Sequence, residues 1–379
     1  MPGRFLGPDR SPRACRSGRG HARRCFGRGN GKDGDEPGKS ASRDDGGGGM
    51  SVSAKEKAGG ASSSLRALLL KSDAFGGTAL AALIIICLVL ALLEPQFFTS
   101  SNLLNVGRQA SVLIIVSCGM TLVILSGNID LSVGSAIALC AVVGASLATA
   151  GGLDAFSTIA LMIALGAAIG AVKGALVAWA GINSFIVTLG MMTVLRGAAL
   201  TFTGGYPIAG VPAAVRYPGF GVVGGFPAPL IVMTVAFICV AILLSKTVLG
   251  RHIYAIGGNE TSSHIAGVPV AWTKFAIFTI SGALCGIASV VLLGRLGAGL
   301  PTSAQGLELD AIAAVILGGA SLFGGRGSVF GTLCGALILA VLQNGLNLLG
   351  VNSFIIQILS GAIIILAVLL DRVRAGSLR

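Results

Sequence analysis

From Gly119 to Leu139 the chain reads GMTLVILSGNIDLSVGSAIAL. An apolar run, Met120–Leu125, interrupted only by Thr121, ends in Ser126, Gly127, Asn128 and Asp130. A second run rich in small residues then opens at Val133, Gly134 and Ser135. The pattern predicts two apolar helices joined by a glycine-bounded polar turn, with Asn128 and Asp130 at a helix end. A carboxylate in or beside a membrane is costly and usually functional. Asp130 therefore has two readings, a cap for the following helix and a gate or inter-subunit contact.

Working outward, the same texture covers most of the chain. Of 379 residues, 54% are hydrophobic and 11% charged, and the mean hydropathy is +0.87. A soluble protein of this size needs many more charges on its surface. A bilayer core takes about 20 apolar residues per crossing. The 58 glycines suit close approach of helix backbones in lipid. The expectation is an all-α polytopic membrane protein of about ten transmembrane helices, near 74–93, 110–126, 134–150, 157–179, 183–203, 229–245, 273–294, 309–323, 330–349 and 352–370. Arg66, Lys71, Lys246, Arg251, Lys274, Arg326, Arg372, Arg374 and Arg379 gather at one set of helix ends, and only Arg108, Arg216 and Arg295 at the other. The bias of basic residues toward the cytoplasm then puts both termini inside. Lys173, near an inner helix end, is expected to snorkel to the interface.

Over half of the +12 net charge lies in the first 70 residues, which hold fourteen Lys+Arg against seven Asp+Glu. Residues 1–65, rich in Gly, Arg and Ser, cannot bury a core and are expected to be a disordered leader. Met50 opens an ordinary polar leader and is a candidate true start, with residues 66–379 forming the permeating domain. No recognition motif accompanies the basic charge, which excludes a nucleic-acid reading. Cys87, Cys118, Cys140, Cys239, Cys285 and Cys334 fall in apolar runs without a CxxC pair and read as small buried hydrophobes.

The nearest approach to a phosphate-binding loop, DGDEPGKS at 33–40, has Asp33 where the first glycine belongs and lies in the leader, so the chain is not expected to be an ATPase. No nucleophile or metal-ligand cluster joins Glu308 and Asp310, which suit the start of the helix they open. Neither catalytic residues, a metal nor a cofactor is expected in this chain.

The longest polar stretch on the inner side is GRHIYAIGGNETSSHIAGVPVAWTK (250–274), which makes up most of a loop placed at 247–272. Residues 251–256 can begin a short helix, broken by Gly257 and Gly258. A second is capped by Asn259, carries Glu260 in its first turn and ends at Gly267 and Pro269. A solvated loop and a docking knob for a soluble partner both fit. Gly166, Gly170 and Gly174, and Gly327, Gly331 and Gly335, form small-xxx-small ladders for helix packing or dimerisation. Gln343, Asn344 and Asn347 cluster within one turn. Their amides suit either helix–helix bonds or a hydroxylated solute. Arg196 reads as a snorkelling residue or a pathway charge. The segment 316–333, ILGGASLFGGRGSVFGTL, echoes 124–139, and transporters are often built from repeats.

Three stretches in order, GMTLVILSGNIDLSVGS, GRHIYAIGGNE followed by AGV, and LDAIAAVILGGASLFGGRGSVFGTLCGALILAVLQNGLNLLGV, resemble the permease subunits of bacterial ABC monosaccharide importers, the ribose/xylose/galactose branch, over about 300 residues. The resemblance implies a multi-pass protein of the bacterial inner membrane with a second permease subunit, in a homodimer. It implies a cytoplasmic ATPase that binds ATP and Mg, and an extracytoplasmic sugar-binding protein. Arg251, Tyr254, Gly257, Gly258, Asn259, Glu260, His264 and Gly267 would form the loop that couples to the ATPase. Asn128, Asp130, Arg196, Gln343, Asn344 and Asn347 remain pathway or gate candidates. An ion-coupled secondary transporter, and a permease for a branched-chain amino acid, are the alternatives.

Overall fold

The computed structural model describes residues 77–376. The leader 1–65 with Met50, and Arg66, Lys71 and Arg379, lie outside the described residues. Thirteen helices make up most of the described chain. They are α1 (Gly77–Leu93), α2 (Ser100–Leu125), α3 (Val133–Thr149), α4 (Ala155–Ala178), α5 (Ser184–Thr203), α6 (Ala213–Phe220), α7 (Ala228–Lys246), α8 (Val248–Gly258), α9 (Glu260–Ile265), α10 (Val270–Leu296), α11 (Leu307–Leu317), α12 (Val329–Leu348) and α13 (Ser353–Gly376). Val222–Val223 and Phe226–Pro227 form a two-stranded hairpin, β1 and β2, turned by Gly224 and Gly225 at φ 57° and 87°.

Each predicted span overlaps one helix. Six of these (α2, α4, α5, α7, α10 and α12) are long and apolar enough to cross a bilayer alone, while α1 and α3 have 17 residues each. α11 differs. Its 11 residues rise only about 16 Å, roughly half of a 30 Å hydrocarbon core. The run expected over 309–323 stops because Gly318–Gly319 breaks it, with Gly319 at φ 87°. The chain then turns through 320–328 beside buried Ala320. Irregular backbone is tolerated at membrane depth only where protein covers it.

Polar side chains at the first turns set the helix starts. Asp154 accepts the Ser157 N–H at 3.1 Å, and these bonds hold its carboxyl below the usual carboxylate range. Asn183 accepts from Phe185 at 2.9 Å, and Ser328 from Gly331 at 3.0 Å. Such caps satisfy donors that the helix itself leaves open.

α2 is the central element. It touches α7, α10, α11 and α12, and its residues from Ala110 to Leu125 are all buried. α4, α5 and α7 bury only one side, as helices bordered by lipid should. α4 lies along α10 through glycine. A Cβ on Gly166 or Gly170 would strike the carbonyls of Gly282 and Phe278, and one on Gly174 would reach Phe275 at 3.0 Å. This ladder is therefore occupied within the chain. The second expected ladder is only two residues long: Gly331 and Gly335 of α12 lie against Gly318 and Ala314, while Gly327 precedes the helix at φ 145°. Four of the six cysteines in apolar runs are buried, Cys87 is intermediate, and Cys239 on α7 is exposed.

Candidate functional site

α9 follows from the loop's sequence, whereas α8 opens earlier than expected, at Val248, and runs through Gly257 and Gly258 instead of being broken by them. Thr247 caps α8 by accepting the Gly250 N–H at 3.2 Å, and Asn259 caps α9 by accepting from Ser262 at 2.9 Å. Gly267, at φ 84°, ends the pair. α8 buries Ile253 and Ile256 and sets Tyr254 half-buried, its hydroxyl donating to the Gly327 carbonyl at 2.9 Å. Burial pushes the Tyr254 phenol up, so it stays a neutral donor. The opposite side is open: Arg251, Gly258, Asn259, Glu260, His264 and Gly267 are exposed, and Ile265 stands 81% exposed at the tip of α9. Lys274 holds both carboxylate oxygens of Glu260, at 2.7 and 2.8 Å, tying α9 to the first turn of α10.

Beneath α8 three backbones meet. A Cβ on Gly257 would collide with the Leu125 carbonyl and the Gly325 nitrogen. The Leu125 carbonyl accepts the Gly325 N–H at 2.9 Å. A Cβ on Gly324 would stand 2.8 Å from the Gly127 nitrogen and 2.9 Å from Gly257 Cα. Gly324 and Gly325 also adopt φ of 85° and 73°, which side chains resist. The two turns that echo each other in sequence thus stand side by side, and α8 rests on both. Gly258 faces open space.

The turn after α2 is fixed from inside. Asn128 donates to the Ser126 carbonyl and hydroxyl at 3.1 and 3.0 Å, so its amide nitrogen is engaged locally. Asp130 accepts the Ser132 N–H at 2.9 Å and the Ser132 hydroxyl at 2.7 Å. Its other oxygen meets Lys173 Nζ at 2.5 Å, and Lys173 also reaches Ser132 at 2.8 Å. Both charged side chains are 0% exposed. Lys173 therefore does not snorkel, contrary to the expectation from its place near a helix end. It points from α4 into protein because Asp130 and Ser132 complete its donors there. Asp130 does hold the start of α3, and it is neutralised by Lys173.

Toward the far ends of α2 and α12 the expected amide cluster divides. Asn344 and Asn102 exchange two hydrogen bonds, each 3.0 Å, locking α12 to α2. Asn347 is exposed. Gln343 lines a cavity of about 170 Å³ with Gln109, Arg295 and Asp310. Arg196 donates to the carbonyls of Pro301 at 2.6 Å and Ser303 at 2.9 Å. It anchors the turn before α11 rather than reaching an interface. Sequence reading missed Lys173 as the partner of Asp130, Asn102 as the partner of Asn344, and Gln109 in the cavity. The one signal was a polar residue set against an apolar run. Among the described residues no group of three or more His, Cys, Asp or Glu could hold a metal ion.

This is the architecture of a multi-pass membrane permease, with helix ends bound into a glycine junction under an exposed helical pair. The chain belongs to the family described as branched-chain amino acid transport system / permease component, whose model matches residues 102–368. Its relatives are transport subunits rather than enzymes. The ribose import permease protein of Escherichia coli K12 is 44% identical over 297 residues, covering 77% of this chain and 92% of the relative. That of Bacillus subtilis 168 is 43% identical over 296 residues, covering 78% and 92%. The D-allose transport system permease protein of Escherichia coli K12 is 38% identical over 305 residues, covering 79% and 92%. No solved structure matches the chain.

Proposed function

We propose that this chain is the membrane-spanning subunit of an ABC importer for a monosaccharide, working as a homodimer in the bacterial inner membrane. About ten membrane helices and inward-facing termini complete this reading. A separate cytoplasmic subunit binds ATP and Mg and hydrolyses the nucleotide, and an extracytoplasmic binding protein delivers the sugar. The names of the ribose and allose relatives support the substrate class.

One observation carries the mechanism: α8 and α9 present exposed Glu260, His264 and Ile265 outward while their inner face sits on the turns after α2 and before α12. A soluble subunit that grips α9 pushes on Gly257, and through it on the Leu125 and Gly325 backbones. Closure of the ATPase halves on ATP moves α8 with both turns. The bundle then shifts between inward and outward access because the two states bind the ATPase differently. Asp130 and Lys173 keep the first turn rigid, so a push is transmitted rather than absorbed.

Co-purification from membranes tests this. With α8 and α9 intact, an ATP-binding subunit accompanies the chain. Gly258→Trp, which meets open space, or Glu260→Lys leaves the chain inserted but loses the partner and sugar uptake. Normal uptake by both variants would remove α8–α9 from the mechanism.

A further inference from the structure

The cavity between α2, α10, α11 and α12 has no role in that coupling. Gln109 precedes Leu125 by sixteen residues of α2, roughly 24 Å of helix rise, so the cavity lies far from the glycine junction. At about 170 Å³ it has room for roughly six waters at about 30 Å³ each, or for one small solute that displaces them. Its walls include Ala110, Leu113, Leu292 and Ala340. Into this apolar shell project three half-buried polar side chains from three different helices, Gln109, Asp310 and Gln343, with exposed Arg295 at the rim.

Polar groups inside a membrane bundle carry a desolvation cost and face protein or a solute path. Gln343 and Asp310 share this lining, where a carboxylate offers about four acceptor sites and a primary amide two donors and two acceptor lone pairs. One carboxylate and one guanidinium leave the lining formally neutral, so it favours neither a lone cation nor an anion. Two amides that both donate and accept match hydroxyl groups, which do the same. The apolar walls match C–H faces.

We propose that this cavity is a low-affinity subsite for a neutral polyhydroxylated solute of pentose or hexose size, with Gln109, Asp310 and Gln343 bonding its hydroxyls. The assignment rests on the importer reading above and names the place where the solute pauses within one subunit. The Asn102–Asn344 amide pair, next in sequence to Gln343, fixes the helix that carries it.

The test uses the complete transporter, reconstituted in lipid vesicles with its ATPase and binding-protein partners, and labelled D-ribose, D-allose, D-xylose and L-leucine as probes. Gln109→Leu and Gln343→Leu, on different helices, are compared with wild type at equal amounts of assembled complex. Wild type takes up at least one of the sugars. Each variant lowers that uptake about tenfold at low sugar, while hydrolysis of ATP stimulated by the loaded binding protein stays within about twofold. Unchanged uptake in both variants overturns the subsite, and so does a parallel fall in hydrolysis, which marks a structural role. Uptake of L-leucine in place of every sugar overturns the polyol assignment. A wild type that moves none of the probes and hydrolyses no ATP defeats the importer reading itself.

Discussion

Gly257 and Leu125 touch through backbone alone: the Leu125 carbonyl fills the space where a side chain on Gly257 would begin. The same carbonyl receives the Gly325 N–H. Contact without side chains leaves no rotamers to absorb a displacement, which suits an element that must pass motion on. Gly257→Val should therefore lower stability by about 1–3 kcal/mol through overpacking and uncouple hydrolysis from uptake. Gly258→Val, in open space, should leave the melting temperature unchanged. Thermal unfolding in detergent beside uptake in vesicles checks both. Equal melting temperatures for the two variants would mean that the junction is not tight.

The Asp130–Lys173 pair predicts strong non-additivity. Lys173→Met leaves a buried carboxylate without its cation and should cost about 3–5 kcal/mol. Asp130→Leu with Lys173→Met removes both charges, and replacing a buried pair by apolar groups is often close to neutral. A double-mutant cycle on thermal stability measures this. A double variant as unstable as the sum of the singles contradicts it.

For Asn102 and Asn344 the scale is smaller. Polar pairs between membrane helices couple by about 0.6 kcal/mol on average and about 1.7 at most. Two reciprocal bonds place this pair near the upper figure. The cycle Asn102→Leu, Asn344→Leu measures it, and a coupling near zero would show that the amides find other partners.

Tyr254 predicts a dependence on alkaline pH. Burial raises its phenol above the ordinary value of 10.0. The stabilisation it lends is complete below that ordinary value and is lost as pH rises through the raised one. Wild type should melt above Tyr254→Phe by an amount that is constant from about pH 7 to 9 and shrinks above about pH 10. A constant gap up to pH 11 would place the hydroxyl in solvent.

Much of the fold is legible because hydropathy is a local property. Each of the ten apolar runs overlaps a helix, and Asn259 and Glu260 mark the start of α9, which ends at Ile265, two residues before Gly267, since caps act over three or four positions. What escaped is what depends on distance along the chain. Lys173 looks like a helix-end cation until Asp130, 43 residues earlier, is brought to it. Gln343, Asn344 and Asn347 look like one cluster, but successive positions on a helix face different neighbours: Asn344 finds Asn102 across 242 residues, Gln343 finds a cavity and Asn347 none of these. Gln109 is not legible as a helix residue because α2 begins at Ser100, ten residues before its apolar run suggests. α11 is shorter than its apolar run suggests because the apolar residues beyond Gly319 look like a continuing helix.

The buried lysine also bears on how the chain is made. A lysine raises the cost of a lone helix entering the bilayer by about 2.5–3.5 kcal/mol at the helix centre and by less toward the end, where Lys173 lies. Here the ribosome has already delivered the opposite charge when Lys173 emerges, because Asp130 precedes it. α4 can then leave the insertion machinery with its ammonium already matched, provided that the turn after α2 stays beside it. The three helices α2, α3 and α4 should accordingly enter the membrane as a group. Nascent chains truncated after α4 test this: with Asp130→Ala, α4 should insert less completely than in the native sequence, and equal insertion would show that the pair forms only later.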